Sequence, residues 1–282
     1  MCRLFGFRSV IQSQVHSSLV EAENALGSQS SDHPDGWGVA YYINHVPHVI
    51  KSEKTAINDS IFKRLSGIVS SQTVLAHIRK STMGEVNILN THPFQFGNWT
   101  FAHNGNIKNF LEKRDELVKA ISPRFKRFIL GSTDSEVLFY FILSYMGDEF
   151  DISDRGLKIE VVMKSVQDAF KELIKITGDV CLEKAAAPCE NFLTFILTNG
   201  HVMVGLSAGK KLYYSTFKNK CRDRDTCPSY SPECEAKSET GYVNHLIFTS
   251  EPLSGENIWI EMEDYQIIGV DNHMKLNFAK VK

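Results

Sequence analysis

The chain opens MCRLFGFRS, Met1 to Ser9, and the reading of this stretch decides the fold. From Arg3 onward it is a short apolar run without helical period, which reads as a β-strand buried on both faces. A strand of that kind belongs to a sheet covered on both sides. Working outward, Leu19, Ala22 and Leu26 recur at helical spacing, which predicts a helix over about 17–28. DHPDGWG, Asp32 to Gly38, is a turn signal leading into the strand VAYYI, Val39 to Ile43, with a partner strand at Pro47 to Lys51. Ile61 to Ile68 reads as a short helix and TVLAHIR, Thr73 to Arg79, as a strand. WTFAHNGNI, Trp99 to Ile107, reads as strand, sharp turn, then helix. Thr133 and Glu136 form a capping box before Val137, Leu138, Phe141, Ile142 and Tyr145. Ile159, Val162, Met163, Val166, Phe170, Leu173 and Ile174 define a longer amphipathic helix.

In the last third, Phe192 to Leu197, His201 to Leu206, Lys211 to Thr216, Val243 to Thr249 and Gln266 to Val270 read as strands. Residues 218–241 are polar and aperiodic, and read as an exposed insertion. Strands at both ends with helices between them predict one layered α+β domain over 1–282, with sheets packed on each other and helices outside. Hydrophobic residues make up 43% of the chain and charged residues 23%, so a core forms without disulfides or metals. A net charge of −2 points to no nucleic-acid surface, and no window is long and apolar enough for a membrane span. The N-terminus lacks a signal peptide's apolar run, so a cytoplasmic location and reduced cysteines are expected. The intervals between Cys221, Cys227 and Cys234 exceed those of structural zinc sites, and neither a metal nor a cofactor is expected.

The chemistry starts at Cys2. If Met1 is removed, one residue carries both a thiol and a free α-amine whose reference pKa is about 7.7–8.0. The amine then serves as base for its own nucleophile; alternatively Cys2 is simply the second residue of a buried strand, or is activated by His103 or His92. His103, Asn104 and Gly105 at a turn offer a side-chain amide and a backbone N–H to an oxyanion, or are a plain Asn-Gly turn. Arg79 at a strand end holds a carboxylate through paired hydrogen bonds, or joins a surface ion pair. Asp134 in a first helical turn receives an ammonium group, or only complements the helix dipole. Together, nucleophile, oxyanion donors, carboxylate clamp and ammonium receiver are what a γ-glutamyl amide requires.

With these residues in place the chain resembles the class II glutamine amidotransferases, a branch of the N-terminal nucleophile hydrolases. MCRLFGF resembles their Met-Cys start, AHIRKST (Ala76 to Thr82) their Arg-bearing strand end, and NTHPF (Asn90 to Phe94) their His-Pro loop. AHNGNI resembles their oxyanion motif and STDSEVL the motif carrying their substrate-amine Asp, all in the expected order. The resemblance implies a four-layer αββα sandwich. It implies Cys2 as nucleophile and, through its amine, base; Asn104 and Gly105 as oxyanion hole; Arg79 and Asp134 on the substrate's carboxylate and amine; and His92 and Thr82 lining the pocket. The DGWG segment resembles a stand-alone subgroup that includes the γ-glutamyl hydrolase of ergothioneine synthesis and glutathione-degrading amidotransferases. TSEPL (Thr249 to Leu253) and Trp259 also resemble the family. Lys80 stands where the aminosugar-forming synthases carry Trp, which bears on pocket closure and on preference for free glutamine.

No Walker loop or Rossmann fingerprint is present, so an ammonia acceptor is expected to be a separate protein or water. Three readings follow: hydrolysis of a γ-glutamyl amide through a thioester, a glutaminase subunit serving a separate ammonia-accepting or peptidase partner, and a non-catalytic regulatory member of the fold.

Overall fold

The computed structural model describes residues 2–15, 17–22, 24–81, 84–183 and 190–281. In chain order the strands are β1 (Arg3–Gln14), β2 (Trp37–Ile43), β3 (Val46–Ser52), β4 (Ser70–Ile78), β5 (Phe94–Phe96), β6 (Trp99–Asn106), β7 (Phe192–Thr198), β8 (Met203–Leu206), β9 (Tyr213–Ser215), β10 (His245–Thr249), β11 (Ile260–Glu261), β12 (Gln266–Val270) and β13 (Leu276–Lys280). The helices are α1 (Leu26–Gln29), α2 (Ser60–Ile68), α3 (Phe110–Ala120), α4 (Pro123–Lys126), α5 (Asp134–Glu149) and α6 (Ile159–Thr177).

The strands form two antiparallel sheets. One has the order β11-β9-β10-β1-β4-β2-β3 and the other β13-β12-β8-β7-β6-β5. Side chains alternate across each strand, and β1 uses both faces. Phe5 and Phe7 pack outward with Trp37, Phe62 and Leu65, beneath α2. Leu4 packs inward with Leu75, Ala102, Ile196 and Phe248, between the sheets. Behind the second sheet, α3, α5 and α6 bury Phe110, Leu117, Phe139, Ile142, Val162 and Phe170 against Phe101, Leu193 and Phe195. The result is the αββα sandwich. Residues from Asp134 to Ser144 in α5 are all buried, because this helix is covered by neighbouring helices as well as by the sheet. Among the described residues no helix is long and apolar enough to cross a membrane.

Several expectations shift. β1 runs on to Gln14. The single helix expected over about 17–28 is instead a π-helical turn at Ser17–Glu21 and the four-residue α1. Between them the Asn24 side chain donates to Pro252 O (2.8 Å) and accepts from Ser254 N (2.7 Å), so a tertiary anchor replaces the next helical turn. The short strands β5, β11 and β13 carried no alternation long enough to read. The 218–241 segment is exposed in large part, yet Cys221 and Cys234 are buried. It is tied down by Lys218 N–H to Cys234 O (2.8 Å) and Asn219 N–H to Glu256 O (2.7 Å).

Candidate active site

The β1–β4 register pairs Arg3 with Ile78, which sets Cys2 beside the chain that follows β4. The Cys2 thiol lies between the backbone groups of Lys80, 3.3 Å from its N and 3.3 Å from its O. Burial pushes the thiol pKa up, while the Lys80 hydrogen bond and the nearby Arg79 cation pull it down and the Asp134 carboxylate raises it. Cys2, Arg79 and Asp134 therefore share one electrostatic environment, although they come from the N-terminus, the end of β4 and the start of α5.

Arg79 is only 3% exposed, which rules out the surface reading. Its guanidinium donates to Glu85 O (3.1 Å) and Ser81 Oγ (3.1 Å), and so holds the loop after β4. Asp35, from the DGWG segment, accepts from Ser81 N (2.8 Å) and its own N–H donates to Arg79 O (3.2 Å). Gly38 in the same segment has no room for a side chain: a Cβ there would lie 2.0 Å from His92 O. The His92–Pro93 peptide bond is cis. His92 is buried against His77 (ring centroids 4.2 Å apart) and meets Phe94 edge-on. Burial holds its pKa well below the ordinary value. Thr82 lies outside the described residues.

The His-Asn-Gly motif is not at a turn. β6 continues through Asn106, pairing His103 with Phe195, Asn104 with Thr194 and Gly105 with Leu193; the chain turns later, where Asn109 takes a left-handed conformation (φ 54°). The strand wins because β7 supplies a full-length partner. Asn104 shares strand parity with Ala102, which faces the first sheet, and its side-chain amide makes no hydrogen bond among the described residues. A Cβ on Gly105 would meet Phe192 O at 1.9 Å and His103 Nε2 at 2.3 Å, so only glycine fits.

Asp134 opens α5. Its Oδ2 accepts from Ile107 N (2.7 Å) and its Oδ1 from Ser135 N (2.8 Å). Only half of the expected capping box forms: Thr133 Oγ1 accepts from Glu136 N (3.3 Å), but the Glu136 carboxylate accepts from Leu130 N (3.0 Å) and Gly131 N (2.7 Å) instead of turning back to the cap.

The Cys/His pairing finds no support at His103. His103 spends both ring nitrogens elsewhere, on Ser135 Oγ and Phe192 O, each at 2.9 Å. His77 is a core residue, but its ring nitrogens have no hydrogen-bond partner among the described residues. No group of three metal-ligating side chains occurs among those residues either. Sequence reasoning missed the Lys80 backbone and Ser135, neither of which carries a signal outside the folded chain. Ser250, whose Oγ accepts from Leu4 N (3.0 Å), lies in the TSEPL segment, and Trp259 donates to Leu253 O (2.9 Å) at that segment's other end.

A family model described as Glutamine amidotransferases class-II matches residues 1–269. The chain is 30% identical over 286 residues to a Haemophilus influenzae protein named "Putative glutamine amidotransferase", covering 98% of this chain and 86% of the relative. It is 30% identical over 117 residues, 38% of this chain and 50% of the relative, to the gamma-glutamyl-hercynylcysteine sulfoxide hydrolase of Mycobacterium tuberculosis. A solved glutamine aminotransferase class-II domain protein from Silicibacter pomeroyi superposes with a TM-score of 0.62 at 19% identity, covering 99% of this chain and 98% of that one; this likeness concerns the fold. A match that takes in Cys2, Arg79, the His-Asn-Gly strand and Asp134 spans nearly the whole sandwich, and the chain belongs to the class II glutamine amidotransferases, a family of amide-hydrolysing enzymes.

Proposed function

We propose that this enzyme hydrolyses a γ-glutamyl amide, either glutamine or a γ-glutamyl conjugate, through a Cys2 thioester and releases glutamate. Removal of Met1 frees the Cys2 amine, which takes the thiol proton. The thiolate attacks the γ-carbonyl, and the negative oxygen is met by the Asn104 amide and the Gly105 N–H. The C–N bond breaks as the amine leaves with the proton. Water then attacks the thioester and glutamate departs. Arg79 binds the α-carboxylate. Asp134 binds the α-ammonium, since a carboxylate that accepts two N–H groups keeps further lone-pair sites. His92 lines the pocket. The chemistry is assigned to one domain over 1–282, with 218–241 as a largely exposed insertion.

The observation carrying this reading is that the Arg79 cation, which pulls the Cys2 thiol pKa down, and the Asp134 carboxylate, which raises it, both act on that thiol. These are the charges that an amino acid's own carboxylate and ammonium call for, beside the atom that must attack its side chain. The test is glutamate release from a panel of glutamine, glutathione and other γ-glutamyl conjugates, with wild type and Cys2→Ala. Release from at least one member by wild type and none by Cys2→Ala is expected, together with labelling of residue 2 by a glutamine-like electrophile. Equal turnover by the two proteins would remove the proposal.

A further inference from the structure

His103 lies next to the oxyanion donors in sequence but faces the opposite side of β6, toward α5. Phe192 O can only accept, so the His103 nitrogen 2.9 Å from it, Nε2, must carry the ring proton. Burial lowers the His103 pKa, which favours the neutral ring. In a neutral imidazole the other nitrogen, Nδ1, is then an acceptor, and the group facing it at 2.9 Å is the Ser135 hydroxyl. A hydroxyl has one proton. If Ser135 donates it to His103 Nδ1, it has none left for Asp134 Oδ1, which lies 3.3 Å from the same oxygen. The missing Cβ of Gly105 is what admits the ring, because that atom would sit 2.3 Å from Nε2.

We propose that His103 is a positioning residue for substrate recognition: by accepting the hydrogen bond of the Ser135 hydroxyl, it keeps the Asp134 carboxylate open for the substrate's α-ammonium. Without an acceptor at Nδ1, the hydroxyl turns to Asp134 and competes with the substrate. Asp134 remains held by the Ile107 and Ser135 backbone N–H groups in either case, so the contest concerns its remaining lone pairs. No proton is transferred; only the direction of one O–H bond changes. The inference rests on the proposed γ-glutamyl amidohydrolase activity and adds to it a residue that touches neither substrate nor thiol.

The test uses two replacements that separate the nitrogens. In His103→Gln the side-chain amide reaches the Nε2 position and can still donate to Phe192 O, but the Nδ1 acceptor is lost. In His103→Asn the amide oxygen overlies Nδ1 and the acceptor is kept. His103→Gln is expected to raise KM for glutamine about tenfold, the worth of one charge-assisted hydrogen bond, with little change in kcat. His103→Asn is expected to keep KM near wild type. Adding Ser135→Ala to His103→Gln removes the competing hydroxyl and should bring KM back. The KM of glutaramate, which lacks the α-ammonium, should not change in any of these variants. A KM in His103→Gln that is unchanged, that rises equally for glutaramate, or that Ser135→Ala fails to restore would overturn the inference. Wild type that releases glutamate from no γ-glutamyl compound would instead remove the activity itself, so the two failures are distinct.

Discussion

At the scale of single residues, the site depends on what is absent as much as on what is present. Gly105 is hemmed in by Phe192 O and His103 Nε2 at distances no Cβ tolerates, and the obstacle at 1.9 Å is backbone. We expect Gly105→Ala to push β6 from β7, lowering stability by about 1–3 kcal/mol and activity by more than the stability loss explains. Thermal unfolding and glutamate release measured on the same preparation check this; a variant that unfolds and turns over like wild type would show that the strands can part freely. The glycine itself is plain in the sequence, but the nature of its obstacle is not. An Asn-Gly pair signals a turn by local preference, and only the paired strand β7, some ninety residues later, reveals that the constraint is close approach of another backbone. His103 has the same history: nothing in the string AHNGNI names Ser135 or Phe192 as its partners.

At the scale of elements, the start of α5 joins a helix cap to the proposed ammonium subsite. Thr133 caps the helix, and the next residue, Asp134, holds the end of β6 through Ile107 N. Thr133→Ala is expected to cost about 1 kcal/mol and to raise KM for γ-glutamyl substrates with a smaller effect on kcat, because Asp134 loses the fixed turn beneath it. Urea unfolding and steady-state kinetics measure the two effects; a loss of stability with unchanged KM would separate the cap from the substrate subsite. The cap was legible because a Thr side chain bonding three residues ahead is a local matter. The other half of the box was not, because Glu136 is claimed by Leu130 N and Gly131 N, donors that the preceding loop leaves otherwise unsatisfied. Local pattern failed in the same way over the segment from Ser17 to Gln29. There the helical spacing of Leu19 and Leu26 was real, since both are buried, but Asn24 is drawn away to the 252–254 chain.

At the scale of the molecule, two sheets and their helices bury several histidines without charge. Burial lowers the His77 pKa to about 3 and that of His245 to about 4, and moves His92 and His103 in the same direction. The unfolded chain therefore binds more protons than the folded one once the pH drops below the ordinary histidine value of 6.5. The stabilisation is complete above that value and is lost as the pH falls through it toward the folded-state values, at about 2 kcal/mol for each of His77 and His245 by about pH 5. The thermal midpoint should fall steadily over that range, and His245→Phe should flatten the fall; a midpoint independent of pH would contradict neutral burial. The sequence by itself determined the layered α+β class, the order of the long elements and the identity of the chemical groups, because hydrophobic period, caps and residue chemistry are local properties of a chain. Only the tertiary structure decided that Cys2 meets the Lys80 backbone, that Asn104 faces the first sheet from within a strand, and that Ser135 stands between His103 and Asp134. Those relations are set by sheet register and by packing between segments far apart in the chain, which no local pattern encodes.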